Sequence, residues 1–78
     1  MSTVTLYTRV GCHLCDDAKE VIEEVRRTDA FTLEVVDIDR DPALVALYGL
    51  EVPVIAVDGK KAFKYRLTAE ALRRRLAG

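Results

Sequence analysis

Hydrophobic and polar positions follow two different periods along the chain, and the changes of period separate the predicted elements. Residues 3–8 are rich in β-branched and aromatic side chains, with Val4 and Leu6 on one face, which predicts a first strand. From His13 to about Thr28 the apolar residues recur at the spacing of an amphipathic helix. These residues are Leu14, Ala18, Val21, Ile22 and Val25. A strand followed by such a helix predicts the first half of a βαβ unit.

The next segment predicts a second strand and a short helix. Residues 32–38 carry apolar side chains on both faces, which is typical of a strand covered on two sides and parallel to the first. Asp41 followed by Pro42 is a strong helix start, an acidic N-cap before a proline at the first helical position. Gly49 is expected to end this helix after Tyr48, because glycine is favoured just beyond a helix end.

The last part of the pattern predicts a hairpin and a terminal helix. Asp58-Gly59 is a turn sequence that joins strands over 54–57 and 60–65. Strict alternation along the second of these strands places Lys60, Ala62, Lys64 and Arg66 on one face and Phe63 and Tyr65 on the other, core-covering face. Thr68 is expected to cap the last helix. The predicted order is β-α-β-α-β-β-α, an α/β fold with a four-stranded mixed sheet flanked by helices.

Composition and charge limit the classes of function. The 78 residues allow one small domain, 1–78, and half of them are hydrophobic. Twelve Lys plus Arg against thirteen Asp plus Glu leave a net charge of −1, so no nucleic-acid partner is expected. No apolar stretch is long enough to cross a membrane, and the N-terminus lacks a secretory pattern. We expect a monomer in the cytoplasm.

The two cysteines, Cys12 and Cys15, are separated by two residues where the first strand gives way to the first helix. Unpaired N–H groups and the positive dipole end of a helix amino terminus stabilise a thiolate, the reactive form of cysteine. Helical periodicity places Cys15 at the edge of the apolar stripe and Cys12 further towards solvent. Residues i and i+3 are neighbours on a helix, so the two sulfurs can meet. The pattern predicts that Cys12 attacks a substrate disulfide and Cys15 resolves the mixed disulfide.

Other interpretations of the pair stay open. Zinc in proteins is usually bound by four ligands. The sole histidine, His13, is predicted on the helix face opposite the cysteines, so no metal site is expected within one chain. A metal shared by two chains, or a two-coordinate soft ion such as Cu(I), is the alternative. His13 either supports the Cys12 thiolate or is an exposed first-turn residue. Arg9 either binds a substrate carboxylate or is an ordinary surface arginine.

Taken together, these features resemble the glutaredoxin-like members of the thioredoxin superfamily over essentially the whole chain. The resemblance is carried by G-C-H-L-C at the first helix, V-D-I-D at the end of the second strand, Val52-Pro53 about forty residues after the first cysteine, and the D-G hairpin. C-x-x-C alone is a weak signal, and the Val-Pro pair makes it much more specific. The resemblance implies a thioredoxin-like fold with a cis proline, and it places Val52 and Pro53 in a substrate groove beside Cys12.

The resemblance also indicates a substrate class. Arg9 matches a cationic position that contacts a glutathione carboxylate in the family. Where the family's glutathione site has two glycines and an acidic residue, this chain has Phe63, Lys64 and Arg66, whose side chains argue against glutathione as a co-substrate. We therefore expect a cofactor-free oxidoreductase acting on disulfides of proteins or small thiols, with the thioredoxin or glutathione system as candidate reductant. The alternatives are a soft-metal chaperone on the same cysteines and a partner-binding scaffold without turnover.

Overall fold

The elements follow one another in the predicted order, as seen in a computed structural model that describes residues 2–78. They are β1 (Ser2–Thr8), α1 (His13–Arg26), β2 (Phe31–Asp37), α2 (Pro42–Tyr48), β3 (Val54–Val57), β4 (Lys60–Lys64) and α3 (Ala69–Ala77). A 3₁₀ turn, Ile38–Arg40, follows β2. The strands lie in the order β2-β1-β3-β4, with β1 parallel to β2 and the other neighbours antiparallel. The predicted fold class is confirmed.

Helix α1 begins at the predicted residue and ends at Arg26, slightly before the predicted limit. The carbonyl oxygen of Val25 accepts hydrogen bonds from the backbone N–H groups of Thr28 and Asp29 and from the Thr28 hydroxyl. These hydrogen bonds satisfy the Val25 carbonyl group at the end of α1, where the helix stops. Within residues 2–78, no helix is long and apolar enough to cross a membrane.

The hydrophobic core lies between one face of the sheet and the two longer helices, α1 and α3. Its buried members are Val4, Leu6, Ala18, Ile22, Val25, Phe31, Ile55, Val57, Leu67 and Leu72. Helix α3 is held at its start by Thr68, whose hydroxyl oxygen accepts the N–H of Ala71 at 3.1 Å. Leu67, just before this cap, is buried in the same cluster as Leu72, four residues beyond it, which is the arrangement of a hydrophobic staple.

The other face of the sheet is covered much less completely. Tyr7 points to this face, and its ring lies 4.8 Å from the ring of Tyr48 in α2, measured between centroids. None of the α2 side chains is fully buried. The expectation that the second strand is covered on two sides is wrong, because Val35 remains 48% exposed even on the core-facing side, where it pairs with Leu6.

Strand β4 departs from strict alternation. Ile55 pairs with Phe63 and Ala56 pairs with Lys61, so Ala62 is an extra residue in a bulge. The predicted core-facing position of Phe63 is confirmed, but the rest of the division of faces is wrong: Ala62 also packs against the core, and Lys61 lies on the same face as Lys64. Tyr65 lies beyond the end of β4 and is 44% exposed, so it does not cover the core as expected.

Two turns show different roles for glycine. Asp58 and Gly59 have φ values of 52° and 83°, the left-handed pair that a tight hairpin turn requires. Gly49 ends α2 as predicted, but its φ of −54° is right-handed. A side chain at Gly49 would instead place a Cβ atom 2.6 Å from the carbonyl oxygen of Val45. Lack of space, and not left-handed geometry, is the physical reason for this glycine.

Candidate dithiol site

The sheet register brings four connecting segments to one edge. Strands β1 and β2 are parallel and pair at their last residues, Thr8 and Asp37. Val54, the first residue of β3, pairs with Tyr7 on one side and with Lys64, the last residue of β4, on the other. The segments that follow β1, β2 and β4 and the segment that precedes β3 therefore leave the sheet together. Chemistry in open α/β sheets is placed at such an edge.

Cys12 is the N-cap residue of α1. Its backbone is extended, with φ −95° and ψ 109°, and its Sγ accepts a hydrogen bond from the N–H of Cys15 at 3.1 Å. Gly11, at φ 80°, makes the left-handed turn that leads from β1 into this cap. The Cys12 side chain is half-buried, and both cysteines are free thiols. An accessible sulfur thus stands at the positive end of the helix dipole.

Cys15 is packed as a core residue, with 1% of its surface exposed. Burial, which disfavours the charged thiolate, raises the pKa of the Cys15 thiol, and a hydrogen bond with Cys12 raises it further. Contacts with the Thr8 side chain and the Arg9 backbone oppose these effects. The two sulfurs therefore differ in exposure in the predicted sense, and the shielded one retains its proton.

Arg9 links the segment after β1 by hydrogen bonds to the segment after β2 and to the end of α2. Its guanidinium donates to both Asp39 carboxylate oxygens, at 2.7 Å and 3.3 Å, and to the carbonyl oxygen of Gly49 at 3.3 Å. The hydrogen bond and charge of Asp39 raise the pKa of Arg9. Sequence reasoning missed Asp39, although an acidic residue just after the V-D-I strand end was a visible signal. Arg9 is thus engaged within the chain.

The Val52–Pro53 peptide bond is cis, and Pro53 is fully buried. The N–H of Val52 donates to the carbonyl oxygen of Tyr48 at 3.1 Å, while the carbonyl oxygen of Pro53 accepts the N–H of Tyr65 at 2.9 Å. These bonds fix the segment before β3 between the end of α2 and the end of β4. The predicted site residues all lie on the segments that meet at this edge: Cys12, Cys15, Arg9, Val52 and Pro53.

Glu51 connects this segment to β4. Its carboxylate contacts the Nζ atom of Lys61 directly and lies 4.0 Å from that of Lys64. The hydrogen bond with Lys61 is the main reason that the pKa of Glu51 is lowered. The β4 bulge makes this arrangement available, because it places both lysines on one face of the strand.

Tyr65 is a site neighbour that the strand pattern did not reveal. Its φ of 67° is a left-handed conformation that residues with a side chain rarely adopt. The bond to Pro53 holds it in place, and the Nζ atom of Lys64 lies 5.4 Å from the centre of its ring. Strained residues of this kind occur at binding sites, which makes Tyr65 a candidate contact residue.

The described residues, 2–78, contain no group of three or more His, Cys, Asp or Glu side chains that could hold a metal ion. His13 is exposed at the start of α1. A soft ion on the two sulfurs alone, or a metal shared with a second chain, is therefore the arrangement left for metal binding by Cys12 and Cys15.

Comparison with known proteins points to one family. Residues 3–77 match the family described as glutaredoxin-like domain. A Dictyostelium discoideum relative, named glutaredoxin-like protein YDR286C homolog, is 37% identical over 75 residues, covering 88% of this chain and 69% of the relative. A protein named thioredoxin from Methanocaldococcus jannaschii is 35% identical over 72 residues, covering 88% of this chain and 85% of that protein.

A solved structure shows the same fold. The crystal structure of protein XcR50 from X. campestris superimposes with a TM-score of 0.78 and 40% sequence identity, covering 95% of both chains. The likeness covers nearly the whole of both chains.

Proposed function

This chain belongs to the glutaredoxin-like domain family, a membership that suggests a redox function, and we propose that it is a thiol-disulfide oxidoreductase using Cys12 and Cys15. One observation carries the proposal. A half-buried sulfur accepts an N–H at a helix amino terminus, and its partner thiol one turn away is sealed from solvent. This asymmetry suits an attacking and a resolving cysteine.

The first step is attack by the Cys12 thiolate on one sulfur of a substrate disulfide. A sulfur–sulfur bond forms between Cys12 and the substrate, the substrate disulfide breaks, and the other substrate sulfur leaves as a thiolate that takes a proton from water. The Cys15 N–H and the α1 dipole stabilise negative charge on Cys12 before the attack. The buried Cys15 thiol stays protonated, so it does not compete for the same substrate.

The second step releases the substrate. Cys15 attacks the Cys12 sulfur, the bond between Cys12 and the substrate breaks, the Cys12–Cys15 disulfide closes, and the proton lost by Cys15 ends on the departing substrate sulfur, which leaves as the second thiol. The substrate disulfide has gained two electrons and two protons, and the protein dithiol has lost them. A separate dithiol or thiol reductant must restore the protein, so the cycle needs no bound cofactor.

The segment before β3 supplies a surface for the substrate backbone. Because the Val52 N–H is already bonded to Tyr48, the carbonyl oxygen of Val52 is the group of that residue suited to accept a substrate N–H. Pro53 has no N–H to donate, its carbonyl oxygen is bonded to the N–H of Tyr65 and its ring is fully buried, so its part is to shape this segment while Val52 meets the substrate. A substrate strand in this groove would meet Cys12 at the same sheet edge.

The role assignment is tested with two single variants and a disulfide-containing protein substrate. Cys12→Ser should abolish exchange, whereas Cys15→Ser should accumulate a mixed disulfide between Cys12 and the substrate, detected by mass spectrometry. The reverse pattern, a trapped intermediate with Cys12→Ser, contradicts the assignment. Wild-type protein titrated in dithiothreitol redox buffers should lose its two thiols together.

The soft-metal alternative predicts a different result in the same preparation. Protein purified without chelator would then carry one Cu(I) per chain, and the pair would show no dithiol potential in the physiological range. A metal-free dithiol that exchanges reversibly excludes that alternative. A disulfide that forms but never exchanges with any substrate would instead favour a scaffold without turnover.

A further inference from the structure

Thr8 lies between the buried Cys15 sulfur and solvent. It is the last residue of β1 and follows Val4 and Leu6 on the face of the sheet that α1 covers. Those two side chains are close to fully buried, whereas Thr8 is half-buried. The Thr8 side chain is also hydrogen-bonded to Cys15, which is 1% exposed. Thr8 therefore connects a sealed sulfur to the edge of the sheet.

A groove that is open to solvent reaches Thr8 from the side of β2. Its lining includes the polar side chains of Thr8, Asp37 and Arg40 and the apolar side chains of Val36 and Leu44. The groove has a volume of about 510 Å³, which is room for several water molecules, since each occupies roughly 30 Å³ in the liquid. Water in this groove can therefore meet the Thr8 hydroxyl.

The contacts of the Cys15 sulfur differ in their ability to carry a proton. Within residues 2–78, its hydrogen-bonding contacts are Cys12, the Thr8 side chain and the Arg9 backbone. Cys12 is bonded to the substrate when the second step of exchange begins, so it cannot take a proton. The backbone N–H of Arg9 donates and does not accept. The Thr8 hydroxyl does both, so it can receive the Cys15 proton while it passes its own proton to the groove.

Asp37 stands next to Thr8 and supplies a proton acceptor. The two residues pair in the parallel register of β1 and β2, so their side chains lie on the same face of the sheet. The Oδ1 atom of Asp37 accepts the N–H of Asp39 at 3.0 Å, which fixes the orientation of the carboxylate. The second oxygen, Oδ2, is left to accept from Thr8, directly or through a water molecule in the groove.

The other charged groups around the groove are poorer acceptors. Arg9 and Asp39 are bonded to each other, and Arg40 is a cation that cannot take a proton. Asp41 lies beyond the end of β2, where its Oδ1 atom caps α2 by accepting a backbone N–H at 2.9 Å. Asp37 is therefore the carboxylate best placed to receive a proton from Thr8.

We propose that Thr8 and Asp37 form the route by which the proton leaves Cys15 when Cys15 attacks the mixed disulfide. The Cys15 proton passes to the Thr8 oxygen as the Thr8 proton passes to the Asp37 carboxylate, and Asp37 then releases a proton to water. The departing substrate sulfur takes a proton from the same solvent, so the balance of the second step is unchanged. The proposal rests on the exchange function proposed above and adds the proton acceptor for its second step.

A substrate that reports each step separately tests this route. Ellman's reagent, an aromatic disulfide, releases one coloured thiolate when Cys12 attacks and a second when Cys15 resolves the mixed disulfide. Stopped-flow absorbance separates the two phases. Thr8→Val removes the hydroxyl at nearly constant shape, so it should slow the second phase by at least about tenfold and change the first by less than about twofold. Thr8→Ser keeps a hydroxyl and should restore most of the second-phase rate.

The role of Asp37 is tested in the same assay. Asp37→Asn keeps an oxygen that can accept the Asp39 N–H and removes the proton acceptor, so it should slow the second phase as Thr8→Val does. The double variant should be no slower than the slower single variant, because the two residues act as a unit. Asp41→Asn, on the same groove, is the matched control and should leave both phases within about twofold of wild type. An unchanged second phase in Thr8→Val, or equal slowing in Asp41→Asn, would overturn the proposal.

A second measurement does not depend on turnover. In Cys12→Ser protein Cys15 is the remaining thiol, and the pKa of Cys15 is followed by nuclear magnetic resonance of carbon-labelled cysteine. Adding Thr8→Val should raise this pKa by about one unit, because the thiolate loses a hydrogen-bond donor. That rise, with no exchange by wild type, would refute the exchange function and uphold the Thr8 contact. Normal two-phase exchange with an unchanged Cys15 pKa would refute the route and leave the exchange function standing.

Discussion

Replacing Cys12 in two ways separates its chemistry from its structural role. Its Sγ caps α1 by accepting the Cys15 N–H at 3.1 Å. Serine keeps an acceptor at that position, whereas alanine leaves the N–H without its partner. Loss of an N-cap acceptor typically costs about 1 kcal/mol, so Cys12→Ala should be less stable than Cys12→Ser by about that amount. Both variants should lack exchange activity.

Urea unfolding followed by far-ultraviolet circular dichroism measures this difference. With a slope of about 1 kcal/mol per molar urea, the midpoint of Cys12→Ala should fall about 1 M below that of Cys12→Ser. The thermal midpoint should fall by about 4 to 8 °C for a domain of this size. Coincident unfolding curves for the two variants would refute the idea that a side-chain acceptor at this position caps α1. Residual exchange in Cys12→Ser would refute its role as the attacking group.

Three further predictions concern packing, ionisation and the contacts of Arg9. Leu72→Ala should lower the free energy of unfolding by about 3 kcal/mol, because Leu72 is fully buried. Replacing the exposed Leu47 by alanine should change it by less than about 0.5 kcal/mol, and urea titration measures both effects. Burial raises the pKa of the Cys15 thiol above its ordinary value of 9.0, so this thiol is harder to ionise in the folded state than in the unfolded state. Its contribution to stability is therefore fully present below pH 9.0 and is lost as the pH rises through the folded-state pKa. Reduced wild type should therefore lose stability at alkaline pH more steeply than Cys15→Ala, and equal slopes measured by urea unfolding would contradict this. Arg9→Lys should lower kcat/KM for a protein disulfide by roughly threefold to tenfold, because lysine cannot reproduce the forked contacts. Asp39→Asn should act in the same direction, and a gain of activity with glutathione disulfide would instead identify Arg9 as a glutathione ligand.

Local patterns predicted most of the secondary structure, because helix caps, tight turns and amphipathic faces depend on near neighbours. The Asp58-Gly59 turn and the Thr68 cap are examples, since each needs only a few adjacent residues. The different exposure of the two cysteines could also be predicted, because it follows from their positions on one helix.

Contacts between distant segments could not be predicted in the same way. Arg9 and Asp39 are thirty residues apart in sequence, and their meeting depends on β1 and β2 being parallel and in register. The bulge in β4 is equally non-local, because a strand shows an extra residue only against its partner. Strict alternation consequently gave the wrong face for Lys61 and a buried place for Tyr65.

The amino-acid sequence by itself determined the order of elements, the dithiol at the start of α1 and the asymmetry of its two sulfurs, since each arises from short-range periodicity and capping. Only the tertiary structure decided what surrounds that dithiol: the internal partners of Arg9 and Glu51, the left-handed Tyr65 beside Pro53, and the exposed Val10 and Leu50. The physical reason is that strand pairing brings together segments whose separation along the chain carries no local signal of contact.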